Sequence, residues 1–166
     1  MTDGQFHVLF VCTGNTCRSP MAEGILKSLL KERGILDITV SSAGISGLNN
    51  HPAAQYAVEA AAHWGIDISA HRARSIAKDI IEKSDLILTM SHEHVEYILR
   101  VDPKAADKTF LTKAFPGQYS PAQEAVDDPI GGLLGQYNRT FLELDETLRR
   151  AEGEILKMAK SSKKES

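Results

Sequence analysis

The stretch His7-Val-Leu-Phe-Val-Cys12-Thr-Gly-Asn-Thr-Cys-Arg18-Ser-Pro-Met-Ala-Glu23 changes its pattern twice, and both changes bear on the fold. His7 to Val11 is a short apolar run that ends at Cys12 and is bounded by Thr13-Gly14-Asn15, the signature of a strand buried on both faces. From Pro20 the period becomes helical. Met21, Ile25 and Leu29 form one row, Ala22, Leu26 and Leu30 the next, and Glu23, Lys27, Lys31 and Glu32 lie opposite. This predicts an amphipathic helix with Pro20 in its first turn and Gly34 as its stop. The loop between the two elements therefore joins the carboxyl end of a buried strand to a helix start.

Outward from this unit, strands are expected at Ile38–Ser42, Asp85–Met90 and Lys108–Leu111. A glycine-rich loop (Gly44, Gly47, Asn49, Asn50) and an alanine-rich helix from Pro52 to about Trp64 follow the second strand. Near the end, Leu134, Tyr137, Phe141, Leu144, Leu148, Ala151, Ile155 and Met158 recur at spacings of three and four, which reads as a long helix laid on a sheet. Strands alternating with helices need crossover connections. The expected fold class is α/β: a small doubly wound fold whose four-stranded parallel sheet carries helices on both faces. One domain over residues 1–160 is expected, with 161–166 as a disordered basic tail. In such folds ligands sit beyond the carboxyl ends of the strands where strand order reverses, which is where the Cys12 loop belongs.

The 166 residues suit a single core, and an apolar fraction of 42% with 25% charged residues is that of an ordinary globule. A net charge of -3 gives no reason to expect nucleic acid as a partner. No signal-like or membrane-length segment is present, so no membrane partner and a cytoplasmic location are expected. Cys12 and Cys17 are the two cysteines. In a reducing compartment such a pair is catalytic or metal-binding more often than cross-linked, and two thiols without a histidine pair beside them do not make a closed zinc site. No metal, no cofactor and a monomeric state are expected.

The loop itself carries an anion-site pattern. Unpaired backbone amides at a helix start favour a phosphate. Gly14 and Asn15 tolerate left-handed backbone, so the amides of Thr13, Gly14, Asn15, Thr16, Cys17 and Arg18 can turn inward as a nest. Arg18 adds a planar fork for two phosphate oxygens. The same field lowers the pKa expected of Cys12 below about 8.5 and makes it an available nucleophile. Ser19 reads equally as a helix cap or as a donor to the sulfur. Cys17 reads as a small residue on the packed side of the loop or as the thiol that captures an oxidised Cys12.

Val8 to Glu23, together with Ser42-Ala-Gly44, His71-Arg-Ala-Arg74 and Asp128-Pro129, resembles the low-molecular-weight protein tyrosine phosphatases over nearly the whole chain. The resemblance implies a phosphorylated protein as substrate and a two-step transfer. Cys12 forms a cysteinyl phosphate, Arg18 and the loop amides bind the phosphoryl oxygens, and Asp128 acts as general acid and then base. The residues alone leave Asp127-Asp128-Pro129 open between a solvated turn and a pair of acids that split roles, with Asp127 as the second candidate. The resemblance also implies that Ser42 and His71 support Asn15. Without it, His71 reads as a surface histidine, as do His51, His63, His92 and His94.

Departures from the family pattern bear on substrate. Thr16, Leu48 and Ile130-Gly-Gly132 stand where tyrosine-specific relatives carry a large aliphatic residue and aromatics. Cys-Thr-Gly-Asn-Thr-Cys-Arg-Ser resembles the bacterial branch that acts on protein phosphoarginine, and Asp127 with Asp128 suits a cationic guanidinium. Phosphoarginine is therefore the expected substrate, with phosphotyrosine as the alternative. Arsenate reduction is disfavoured because no cysteine follows Cys17, and a silent phosphate-binding module is disfavoured because Cys12, Arg18 and Asp128 are all present.

Overall fold

The computed structural model describes residues 5–164. Strand β1 (Phe6–Cys12) leads into helix α1 (Arg18–Glu32), and β2 (Ile38–Gly44) is followed by α2 (Gln55–His63) and the short α3 (Lys78–Lys83). Then come β3 (Leu86–Thr89), α4 (His92–Val101), a 3-10 turn over Pro103–Lys108, β4 (Thr109–Leu111) and the long α5 (Leu134–Lys164). The four strands are parallel in the order β2-β1-β3-β4. Strand order reverses beside β1, so Cys12, the last residue of β1, opens onto the crevice expected of a doubly wound sheet.

The continuous apolar runs of β1 and β3 are divided between two cores by the two-residue period of a strand. Val8, Phe10, Leu86 and Leu88 face α1, α2 and α5, meeting Met21, Ile25, Ala57, Phe141, Leu144 and Leu148. Leu9, Val11 and Ile87 face the other side, against Ile81 of α3, Ile98 of α4 and Ala105. Both faces are thus covered, as the sequence pattern implied.

Strands β2, β3 and β4 begin or end one or two residues from the expected limits, and two helices differ further. Helix α1 starts at Arg18, which puts Pro20 in its first turn as expected, where a proline gives up no intrahelical bond. Helix α2 starts at Gln55, after Pro52 has kept the chain extended. Helix α5 continues through 161–164 instead of ending in a frayed tail. Lys163 pairs with Asp37, and cations in a last helical turn interact favourably with the negative end of the helix dipole. Residues 165–166 of the expected tail lie outside the described residues. The stop at Gly34 is as expected: it adopts φ +68°, and Ile35 N–H returns to the Leu30 carbonyl at 2.9 Å. Among the described residues, no helix is long and apolar enough to cross a membrane.

The sheet presses the end of β2 against the Cys12 loop. A Cβ at Gly44 would lie 2.4 Å from the Thr13 carbonyl oxygen and 2.9 Å from the Asn15 nitrogen. Gly44→Ala is therefore expected to destabilise the protein by about 2 kcal/mol, in the range of overpacking at a rigid backbone contact. It should also weaken binding of inorganic phosphate. Urea denaturation and phosphate titration check this; wild-type values in both would show that the loop yields freely.

Candidate active site

Asn15 is the only described non-glycine residue besides Asn50 with a positive φ, +59°, and it is completely buried. A left-handed side-chain-bearing residue persists only where its surroundings hold it. Here every polar group of Asn15 outside its amide is engaged. Its Nδ2 donates to Ser19 Oγ at 2.8 Å and to Ser42 Oγ at 2.9 Å. Its Oδ1 accepts from the Arg74 amide at 2.9 Å, and its carbonyl accepts from His71 Nε2 at 2.7 Å. Ser42 in turn donates to Glu23 Oε1 at 2.6 Å, and Arg74 Nε donates to the Ser42 carbonyl at 3.0 Å.

This framework exposes backbone donors. Among the described residues, nothing accepts from the amides of residues 13–17, which leaves them with the helix start for an anion. Cys12 Sγ lies 2.8 Å from Ser19 Oγ. Since Asn15 Nδ2 can only donate, the Ser19 hydrogen is directed to the sulfur, the arrangement that suits a thiolate. Of the two readings of Ser19, no cap hydrogen bond opens α1, and the contact with Cys12 is the one present.

Arg18 is 2% exposed and fixed at three points. Nη1 donates to Ser91 Oγ at 2.7 Å and to the Val126 carbonyl at 2.9 Å, while Nη2 meets Asp128 Oδ2 at 3.3 Å. Asp128 Oδ1 accepts from the Ile130 amide at 3.1 Å, which orients the carboxylate. Cys12, Thr16, Arg18, Leu48, Asp128 and Ile130 line one cleft of about 270 Å³. Asp127 is exposed and lines an adjoining hollow with Arg139 and Glu143. Cys17 faces Tyr137 Oη at 3.5 Å, and burial pushes its thiol pKa up. Burial likewise pushes the Tyr137 phenol up, with the contact to Cys17 adding to it.

A buried thiol under free amides, a fixed guanidinium and an oriented carboxylate at one strand end agree with what comparison with known proteins finds. A family model described as low molecular weight phosphotyrosine protein phosphatase matches residues 7–164. The chain belongs to that family. A protein-arginine-phosphatase of Bacillus subtilis is 37% identical over 90% of this chain and 97% of its own length. Among solved structures, a low molecular weight protein tyrosine phosphatase from T. tengcongensis superposes with a TM-score of 0.83 at 40% identity, covering 90% of this chain and 99% of that one. A YwlE arginine phosphatase, a cysteine-to-serine mutant with a phosphorylated active-site serine, gives a TM-score of 0.83 at 36% identity, covering 92% and 97%.

The sequence reading missed the contribution of α4. His94, expected at the surface, is completely buried. Its Nδ1 accepts from the Ser91 amide at 3.0 Å, and its Nε2 meets Thr13 Oγ1 at 2.9 Å. His92 is half-buried, between Tyr119 Oη and the Gln123 carbonyl, whereas His51 and His63 are exposed as expected. The available signal was a serine three residues ahead of a polar side chain, directly after a strand, which marks a helix N-terminus beside the strand ends that carry the Cys12 loop.

Burial pushes the His94 pKa down to about 3, with the Arg18 charge adding to the shift. The exposed Glu93 carboxylate, 3.7 Å from Nε2, does not offset this. An unfolded histidine takes up a proton below about pH 6.5 that folded His94 refuses. Stability contributed by neutral His94 should therefore be lost as pH falls from 6.5 toward 3, by up to about 1.4 kcal/mol per pH unit. Urea denaturation at several pH values should show this slope in the wild type and a shallower one in His94→Asn. Parallel curves would mean that the buried imidazole does not set the acid limit.

Proposed function

We propose that the protein hydrolyses phosphoarginine in phosphorylated proteins through a cysteinyl-phosphate intermediate. The observation that carries this reading is Cys12 Sγ, bonded to the Ser19 hydroxyl beneath unengaged loop amides, with Arg18 and Asp128 paired at the same cleft. The Cys12 thiolate attacks phosphorus as the P–N bond breaks, and Asp128 gives its proton to the departing guanidine nitrogen. Water then attacks the S-phosphoryl group, Asp128 takes its proton, and the sulfur leaves as thiolate toward the Ser19 hydroxyl. Arg18 and the amides of residues 13–17 stabilise the equatorial oxygens in both transfers. The phosphorylated serine in the related YwlE mutant supports a covalent step at the position of Cys12.

Three features favour phosphoarginine. Among the described residues the cleft lining carries no aromatic ring to stack on a phenol, and Thr16 places a short hydroxyl-bearing side chain where a long aliphatic one would narrow it. Asp128 within the cleft and Asp127 at its edge supply negative charge for a guanidinium. The similarity to a Bacillus subtilis protein-arginine-phosphatase extends over nearly its whole length. Phosphotyrosine is the second reading, because Leu48 and Ile130 offer apolar walls that suit a ring as well as an arginine stem.

With matched peptides, kcat/KM for phosphoarginine should exceed that for phosphotyrosine at least about tenfold, the scale of one altered wall of a binding site. Thr16→Ile should shrink that ratio. Wild-type preference for phosphotyrosine would overturn the arginine assignment. In a second measurement, Asp128→Asn should lower kcat about 100-fold or more on both substrates, as loss of a general acid does. A drop no larger than that of Asp127→Asn would remove Asp128 from that role.

A further inference from the structure

His94 is tied to the cleft by two hydrogen bonds of opposite sense. The Ser91 amide can only donate, so the Nδ1 atom that receives it carries a lone pair. In the neutral ring the proton is then on Nε2, which donates to Thr13 Oγ1 at 2.9 Å. Thr13 is the residue directly after Cys12 and lines the cleft. With a lone pair of its oxygen occupied by His94, the Thr13 hydroxyl keeps its own hydrogen for an acceptor on the cleft side. At the other end of the ring, Ser91 is held by the same imidazole and receives Arg18 Nη1 at 2.7 Å.

From this we infer that His94 is a positioning residue. Its uncharged ring fixes the first residue of the phosphate loop and the serine that seats Arg18 in one frame. The chain Thr13–His94–Ser91–Arg18 runs from the sheet face covered by α4 to the start of α1 on the other. Neutrality is part of the device. A protonated ring would lose the acceptor that holds the Ser91 amide and would set a second buried cation near Arg18. Burial and the Arg18 charge both keep the ring unprotonated.

The inference rests on the phosphatase reading only for its turnover assay, and phosphate binding gives an independent readout. An asparagine at position 94 can still accept from the Ser91 amide but is too short to reach Thr13, so His94→Asn separates the two bonds. At pH 7 this variant should lose about tenfold in kcat with KM changed less than twofold, because a displaced loop costs most where charge develops on the phosphoryl group. Its affinity for inorganic phosphate should fall at least about threefold. Thr13→Val should give similar losses, Thr13→Ser should stay within about twofold of wild type, and the double variant Thr13→Val/His94→Asn should be no worse than either single one.

Multiplicative losses in the double variant would overturn the inference, since the two residues would then act independently. So would a lowered melting temperature in His94→Asn with unchanged kcat and phosphate affinity, which marks packing alone. Should wild-type protein turn over neither phosphoarginine nor phosphotyrosine, the enzymatic reading fails, and the same four variants titrated with phosphate still decide the role of His94.

Discussion

A buried asparagine in left-handed conformation is the constraint on which the rest of this molecule depends. Turning Asn15 to φ +59° is what lets the successive amides between Cys12 and Arg18 face one point. Such a residue is unfavourable by about 1–3 kcal/mol unless over-determined. The protein over-determines it from four directions: Ser19 on α1, Ser42 on β2, and His71 and Arg74 on the segment beyond α2. Glu23 closes the network by accepting from Ser42, which leaves the Ser42 oxygen free to receive Asn15. The Asn15 bonds also settle the direction of the Ser19 hydroxyl, and with it which of Ser19 and Cys12 is the donor.

The two faces of the sheet divide the remaining work. Helix α1, resting on the core formed with α2 and α5, delivers Arg18 and Ser19. Helix α4, resting on the smaller core, delivers Ser91 and His94. Arg18 is where they meet, and the Val126 carbonyl and Asp128 complete its coordination from the chain that precedes α5. A guanidinium held at three points has little rotamer freedom left to lose when an anion arrives, a form of preorganisation.

Much of this was legible in the sequence where local pattern and long-range placement coincide. The apolar run His7–Val11 and the helical rows from Met21 to Leu30 carry their own periodicity, so the strand-loop-helix unit could be read from its residues. His94 was not legible, since a histidine among charged residues on an amphipathic helix looks the same whether its face is turned to water or to a neighbouring strand end. Only the β1–β3 pairing, which sets Val11 beside Thr89, brings the α4 start next to Thr13. Asp127 and Asp128 pose the same difficulty. Adjacent acids before a proline are alike in sequence, and the tertiary contact with Arg18 is what separates them. The last turn of α5 was misjudged because its stabilising partner, Asp37, lies far away in the chain.

The distance that separates these groups along the chain has a consequence for local opening of the structure. Cys12 ends β1, Ser91 and His94 stand at the start of α4, and Asp128 lies in the segment between β4 and α5. Helix α5 also covers the larger core and touches Cys17 through Tyr137. Opening of α5 therefore uncovers the larger core and withdraws Tyr137 from Cys17, although the Cys12 loop lies far from that helix in sequence. Bringing groups so far apart in sequence together carries a loop-closure cost that packing has to exceed. A cleft assembled from the end of β1, the start of α4 and the segment before α5 thus exists only while the whole fold is closed, and local unfolding of any one of the three removes it.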